Sequence, residues 1–336
     1  MRMSCKFLVF AVLVVALHLL VTFYIYPPTP AELVGDDHLD TLDALHKAMA
    51  RDMNTIVYFA DSVNFCYAPT DRDQRRVSDM MMDHVAGLSL CTVDHKAYHL
   101  GIYRAALAYL ERMKWHPAVV VLPVNLRSFT THWTLRPSWQ FVDLQRWFLH
   151  DSLWYPVVYR PCKIFKLFDF PLTQENFGLA PVYSGREKAG RIKDFENSSF
   201  DQPDDEKTEQ KITLFYMQEV DERNTRVAEL REAVRTLRRL GSRVIVYILP
   251  VDYRTCDRFM DGRFSAQIKR NADYVEKVLR EEGLNELHNF AFSLDPDCFY
   301  YRSPYPDEHL NEKGRSLLGK RLADIINHLD TTKPGR

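Results

Sequence analysis

The sequence carries no excess of charge of either sign. Lysine and arginine number 44 against 45 acidic residues, a net charge of -1, and a chain without a basic field is a poor partner for nucleic acid. Metal-ligand patterns are also missing. Of the 12 histidines, His95 and His99 stand four apart, but no carboxylate-rich block accompanies them. No metal or cofactor is expected. Cysteine is sparse and scattered, and the six present match neither a zinc site nor a small disulfide scaffold. Cys5 precedes the N-terminal apolar run and is not placed as a lipobox cysteine. Cys66, Cys91, Cys162, Cys256 and Cys298 cannot all pair, which leaves one or two bridges and buried free thiols equally open. Glycine is scarce too, at 12, and no internal repeat is present. A chain of 336 residues, 46% of them hydrophobic, then has room for one large domain or two small ones.

What is present begins with an uncharged run from Phe7 to Tyr26, preceded by Arg2 and Lys6. Its twenty residues, apolar except for His18 and Thr22, rise ~30 Å as a helix, one hydrocarbon core. The run ends in aromatic residues and Pro27-Pro28, without the small-residue exit of a cleaved signal peptide. Residues 1–29 read as an uncleaved signal anchor, and the positive N-terminal flank places residues 30–336 outside the cytoplasm.

Beyond the anchor, Pro27 to Glu32 reads as a stiff spacer, Asp36 to Met53 as an amphipathic helix, and 70–86 as helical, with methionines as core filler. Strands are expected at Thr55–Phe59, Leu88–Val93, Ala118–Asn125, Arg243–Val251 and, more weakly, Leu287–Phe292. Helices are expected at Tyr98–Met113, Val227–Leu240 (with Gly241 as its C-terminal residue), Phe264–Glu281 and Leu317–Leu329. Continuous apolar strands alternating with helices argue a parallel sheet covered on both faces. The pattern lapses between about 127 and 219, which reads as an insertion, part helix and part loop, with an acidic run from Asp201 to Gln210. Four of the five tryptophans fall in it. Its Trp133–Arg136–Trp139 segment either lines a sugar or lipid cleft or packs the insertion onto the sheet. The apolar and basic run from Trp154 to Phe170 suits a membrane surface.

Three polar residues stand at corresponding places: Ser62 after the first strand, Asn125 after the third, and His309 just before the last helix. Open α/β sheets bind ligands at such strand ends. A serine becomes nucleophilic when a histidine takes its proton, and an asparagine amide with backbone N–H groups can hold the resulting oxyanion. Asp307 is placed to orient the imidazole.

At these residues the chain resembles the SGNH (GDSL-type) hydrolase superfamily. The first block of that family appears as Ala60-Asp61-Ser62-Val63-Asn64, its third as Pro123-Val124-Asn125, and its last as Asp307-Glu308-His309-Leu310-Asn311-Glu312-Lys313-Gly314. Ala60 and Pro123 replace family glycines, and the carboxylate lies one residue nearer the histidine than the usual Asp-x-x-His. The resemblance implies a flavodoxin-like three-layer αβα fold with a central parallel sheet, in residues 54–126 and 220–330. It implies Ser62 as nucleophile, His309 as general base, and Asn125 with the Ser62 N–H in the oxyanion hole. Gly101 stands as the candidate second-block donor, and Asn64 joins Trp133, Arg136 and Trp139 as candidate substrate-binding residues.

In layout the chain is similar to the membrane-anchored SGNH proteins that accompany membrane-bound O-acyltransferases. That implies a periplasmic, bacterial inner-membrane protein moving acetyl groups onto or off a cell-envelope polysaccharide. The contrasting expectation is a non-catalytic SGNH-like scaffold that binds polysaccharide or the membrane O-acyltransferase.

Overall fold

The computed structural model describes residues 2–51, 54–150, 154–196, 205–284, 287–301 and 305–328, with side chains from Lys6 onward. Met53, 201–204 and Leu329, which the sequence reading placed in elements, lie outside those residues.

Among the described residues seven strands form two sheets: β1 (Thr55–Ala60), β2 (Ser89–Asp94), β3 (Val119–Val124), β4 (Pro181–Ser184), β5 (Glu187–Arg191), β6 (Arg243–Ile248) and β7 (Leu287–Asn289). The main sheet is parallel throughout, in the order β2-β1-β3-β6-β7. Counted along its own strands this is the 2-1-3-4-5 order of flavodoxin-like folds. β1 and β3 are buried at every position, as expected of central strands covered on both sides.

The period-two alternation of the strands divides the core into two layers. Val57, Phe59, Val120, Leu122, Val246 and Ile248 face one side, with buried residues of the helices Leu39–Arg51, Leu100–Arg112, Thr225–Leu240 and Arg263–Glu281. Ile56, Tyr58, Val119, Val121, Ile245 and Tyr247 face the other, against Val77–Met82 and Glu312–His328. The molecule is thus a three-layer α/β fold.

The departures from the sequence reading are local. Pro30–Val34 is a short helix, not a spacer, because Thr29 caps it and Pro30 sits in its first turn. Only Val77–Met82 of 70–86 is α-helical, while Met81 is fully buried as core filler. The 127–219 stretch holds the β4–β5 hairpin, whose exposed and irregular pairing left no alternating signal. The described part of its acidic run opens a helix, Asp205–Tyr216. Among the described residues Cys66, Cys91, Cys162, Cys256 and Cys298 form no disulfide, and four of them are buried. One helix among the described residues, Lys6–Ile25, is long and apolar enough to cross a membrane, with a mean hydropathy of 2.7.

Candidate active site

β1 ends at Ala60, and Asp61 then caps a one-turn helix, Ser62–Phe65, through a 2.9 Å bond from the Val63 N–H to its Oδ1. The cap holds Ser62 in the first turn at the carboxyl edge of the sheet. The position before Asp61 needs no glycine, since Ala60 is not among the residues with positive φ. Pro123 is accommodated for a different reason. The described pairing of β3 with β1 stops at Val121, so its missing N–H falls beyond that ladder.

The histidine arrives from the other end of the chain. Phe299 and Leu310 form an antiparallel bridge, and the Tyr300 N–H donates to the His309 carbonyl at 3.0 Å. Asn311 then starts the last helix. Its Oδ1 accepts the Gly314 N–H at 3.1 Å, and its amide donates to the Asp297 and Phe299 carbonyls. Gly314 is needed because a Cβ there would stand 2.2 Å from the Cys298 carbonyl oxygen. Arg315, fully buried, reaches back to Asp71 at 2.8 Å and to the carbonyls of Arg75, Cys66 and Asp73. It ties the last helix to the loop that follows Ser62.

These elements bring Ser62 Oγ to 3.1 Å from His309 Nε2, and Asp307 Oδ2 to 2.8 Å from His309 Nδ1. The shortened Asp-x-His spacing works because Asp307 uses both oxygens. Oδ1 accepts the His309 backbone N–H at 2.9 Å, which turns the chain so that Oδ2 meets the ring. All three residues are buried.

The sequence reading missed what lies beneath them. Glu308, given no role there, is buried and accepts from Arg127 at 3.1 and 3.2 Å and from the Tyr216 hydroxyl. Burial would raise its pKa, but the charges of Arg127 and His309 and the Tyr216 hydrogen bond hold it down at about 2. Burial lowers the pKa of His309, yet hydrogen bonds with Asp307 and Cys66 and the charges of Asp307 and Glu308 outweigh it and push it up to about 10. Burial also raises Asp61, against the Asn125 hydrogen bond. The available signals were the apolar end of the acidic run, which delivers Tyr216, and the position of Cys66 one helical turn beyond Ser62.

Asn125 stands at the expected place but is heavily engaged. Its amide donates to Asp61 Oδ2 at 2.7 Å and faces Glu308 Oε1 at 3.3 Å, while its Oδ1 accepts the Arg127 N–H. Gly101 does not join the site. It lies in the first turn of Leu100–Arg112, and its N–H donates to Nδ1 of the capping His99 at 3.1 Å. Its missing side chain makes room for Glu229, His99 and Arg226. Asn64 is likewise a clamp rather than a substrate contact. It bonds Ser78 and Asp94 with both ends of its amide, pinning the Ser62 turn to the neighbouring helix and to β2.

A cavity of about 360 Å³ adjoins this network, walled by Arg127, His132, Arg136, Trp139, Lys211 and Tyr305, among others. Arg136 and Trp139 line it, the guanidinium 4.5 Å over the indole. Trp133 does not. It is buried behind Trp139, with Arg127 stacked on it at 5.0 Å. Burial holds His132 down at about 4 and therefore neutral near pH 7, and Arg136 pairs with Glu196 at 2.9 Å.

Fold and site together define a class: α/β proteins that set a serine, a histidine and an aspartate in hydrogen-bonded series at the carboxyl edge of a parallel sheet. No protein-family model and no curated protein matches the chain. Among solved structures, an inhibitor-bound aryl esterase from M. smegmatis is similar with a TM-score of 0.36 at 9% identity, over 82% of this chain and 99% of that one. A likeness at that level adds nothing to what the sheet order and the site distances define.

Proposed function

We propose that the chain is a serine acyl-ester hydrolase or O-acyltransferase, anchored by its N-terminal helix with the α/β domain outside the cytoplasm. Its substrate on this reading is an acetylated polysaccharide of the cell envelope. The observation that carries the reading is the buried series Asp307–His309–Ser62 at 2.8 and 3.1 Å.

In this mechanism Ser62 Oγ attacks the ester carbonyl carbon as its proton passes to His309 Nε2. The tetrahedral oxyanion is held by the Ser62 N–H and by one hydrogen of the Asn125 amide, released from Glu308, its longer contact. Collapse expels the sugar oxygen, which takes the proton back from His309 and leaves an acyl ester on Ser62. Water or a second sugar hydroxyl then attacks that ester, giving its proton to His309, and Ser62 is regenerated. The cavity beside Arg127 receives the glycan, with Trp139 offering a ring face and Arg136 its donors. A membrane-bound O-acyltransferase is the acyl-donating partner that suits the transferase direction.

Fluorophosphonate labelling of the full chain in detergent, with the modified peptide mapped by mass spectrometry, tests this. Label on Ser62, lost in both Ser62→Ala and His309→Ala while the circular dichroism spectrum is kept, is the expected result. An unlabelled but folded wild-type protein would overturn it. One observation favours the second reading, a polysaccharide-binding scaffold without turnover: the Asn125 amide is held by two carboxylates and Gly101 gives the site no donor. On that reading a glycan binds the folded chain while Ser62 stays unlabelled.

A further inference from the structure

The helix Tyr155–Ile164 and the turn after it present large apolar side chains that the fold leaves uncovered. Trp154 is 67% exposed, Val158 45%, Ile164 76%, Phe165 73% and Leu167 67%. Monomeric soluble proteins rarely expose so contiguous an apolar surface. The helix is not loose. Tyr155 and Tyr159 on its other side are buried and pack against Phe168, and the Tyr159 hydroxyl donates to the Glu32 carbonyl. The uncovered face therefore has a fixed direction.

That direction is set by the N-terminal helix. His18 Nε2 lies 2.6 Å from the Val157 carbonyl oxygen. Arg160 bonds the Glu32 carboxylate at 2.8 and 3.0 Å, donates to the Tyr26 carbonyl, and stacks 4.4 Å from the centre of the Tyr26 ring. His18 precedes Ile25, where the apolar run ends, by about two helical turns, or ~10 Å of rise. A helix touching the anchor at His18 thus lies ~10 Å below its outer end. Amphipathic helices that lie in a bilayer interface bury their apolar faces to about 5–10 Å, so the two depths agree.

We propose that Trp154, Val158, Ile164, Phe165 and Leu167 form a second membrane contact, lying in the outer interfacial layer of the bilayer that the N-terminal helix crosses. Lys166, exposed between Phe165 and Leu167, reaches outward to lipid phosphates. The domain is then held at two points, which fixes its tilt instead of leaving it to swing on a tether. The inference rests on the anchor reading and not on the serine chemistry.

Site-directed nitroxides test it in the full chain, reconstituted into phosphatidylcholine–phosphatidylglycerol nanodiscs in a Cys5→Ser, Cys162→Ser background. Labels are placed singly through Ile164→Cys, Phe165→Cys and Leu167→Cys. Leu13→Cys serves as the anchor control and Lys277→Cys as the water control. The expected result is collisional accessibility dominated by oxygen at positions 13, 164, 165 and 167 and by a water-soluble nickel chelate at 277. Nickel-dominated accessibility at all three patch positions, with position 13 oxygen-dominated, overturns the inference, keeps the anchor, and leaves the face for a protein partner. Nickel-dominated accessibility at position 13 as well overturns both.

Discussion

His309 sits among more negative than positive charge. Asp307 and Glu308 flank it, Asp61 lies close enough to act on it, Cys66 bonds it, and Arg127 offsets only part of this through Glu308. With its pKa near 10, His309 is an imidazolium at neutral pH, and its Nε2–H donates to Ser62 Oγ instead of accepting from it. The proposed base must lose that proton before the serine can attack. Enzyme-catalysed 4-nitrophenyl acetate hydrolysis, corrected for the blank rate, should therefore show kcat/KM rising about tenfold per pH unit from pH 7 toward 9. A profile already flat at pH 7 would contradict the charged resting state. Asp307→Asn removes one of the raising charges, so its profile should shift to lower pH while its plateau falls on the order of 10,000-fold. Stability carries the same sign. The contribution of His309 is fully present below its unfolded value of about 6.5 and is lost as pH rises through about 10. That of Glu308 is present above about 4.5 and is lost as pH falls through about 2.

At the scale of elements, the last motif of the chain serves as a hinge of packing as much as a carrier of chemistry. Asn311 caps the terminal helix, and Gly314 lets that helix pass close to the Cys298 carbonyl. Gly314→Ala should destabilise the protein by about 3 kcal/mol, the upper end of ordinary overpacking, because the obstructing atom is backbone. A urea midpoint lowered accordingly, together with slower labelling of Ser62, would show it. An unchanged midpoint would mean that the helix shifts without cost. The central strands were legible in sequence because burial on both faces leaves continuous β-branched runs such as Val119–Val121. The β3–β6 connection was not. Its short elements, Thr131–Leu135 and Pro181–Ser184 among them, are set by contacts with one another and with the helix Asp205–Tyr216 rather than by any period of their own. The proximity of Ser62, His309 and Asp307 was legible because strand ends and helix starts mark position. Glu308, Arg127 and Tyr216 escaped because a buried ion pair between residues 181 apart leaves no local pattern. Gly101 was misplaced because a glycine that admits neighbouring side chains looks, in sequence, like one that frees a backbone donor.

At the scale of the whole molecule, both ends of the chain converge on one edge of the sheet. The nucleophile and its base are 247 residues apart. Arg315, from the last helix, closes the loop that begins just after Ser62. Arg315→Met should cost about 3–5 kcal/mol by leaving Asp71 buried without its cation, read as a lower urea midpoint with Ser62 labelling reduced in proportion to the unfolded fraction. A midpoint within 0.5 kcal/mol of wild type, roughly the noise of a neutral surface change, would mean that the buried pair is replaceable.

The same closure has a consequence for synthesis. Ser62 is made 247 residues before His309, the base proposed for it. On the proposed mechanism a nascent chain therefore carries an inert hydroxyl until the segment that bears His309 and the helix Glu312–His328 has docked, so a product truncated before that segment is silent.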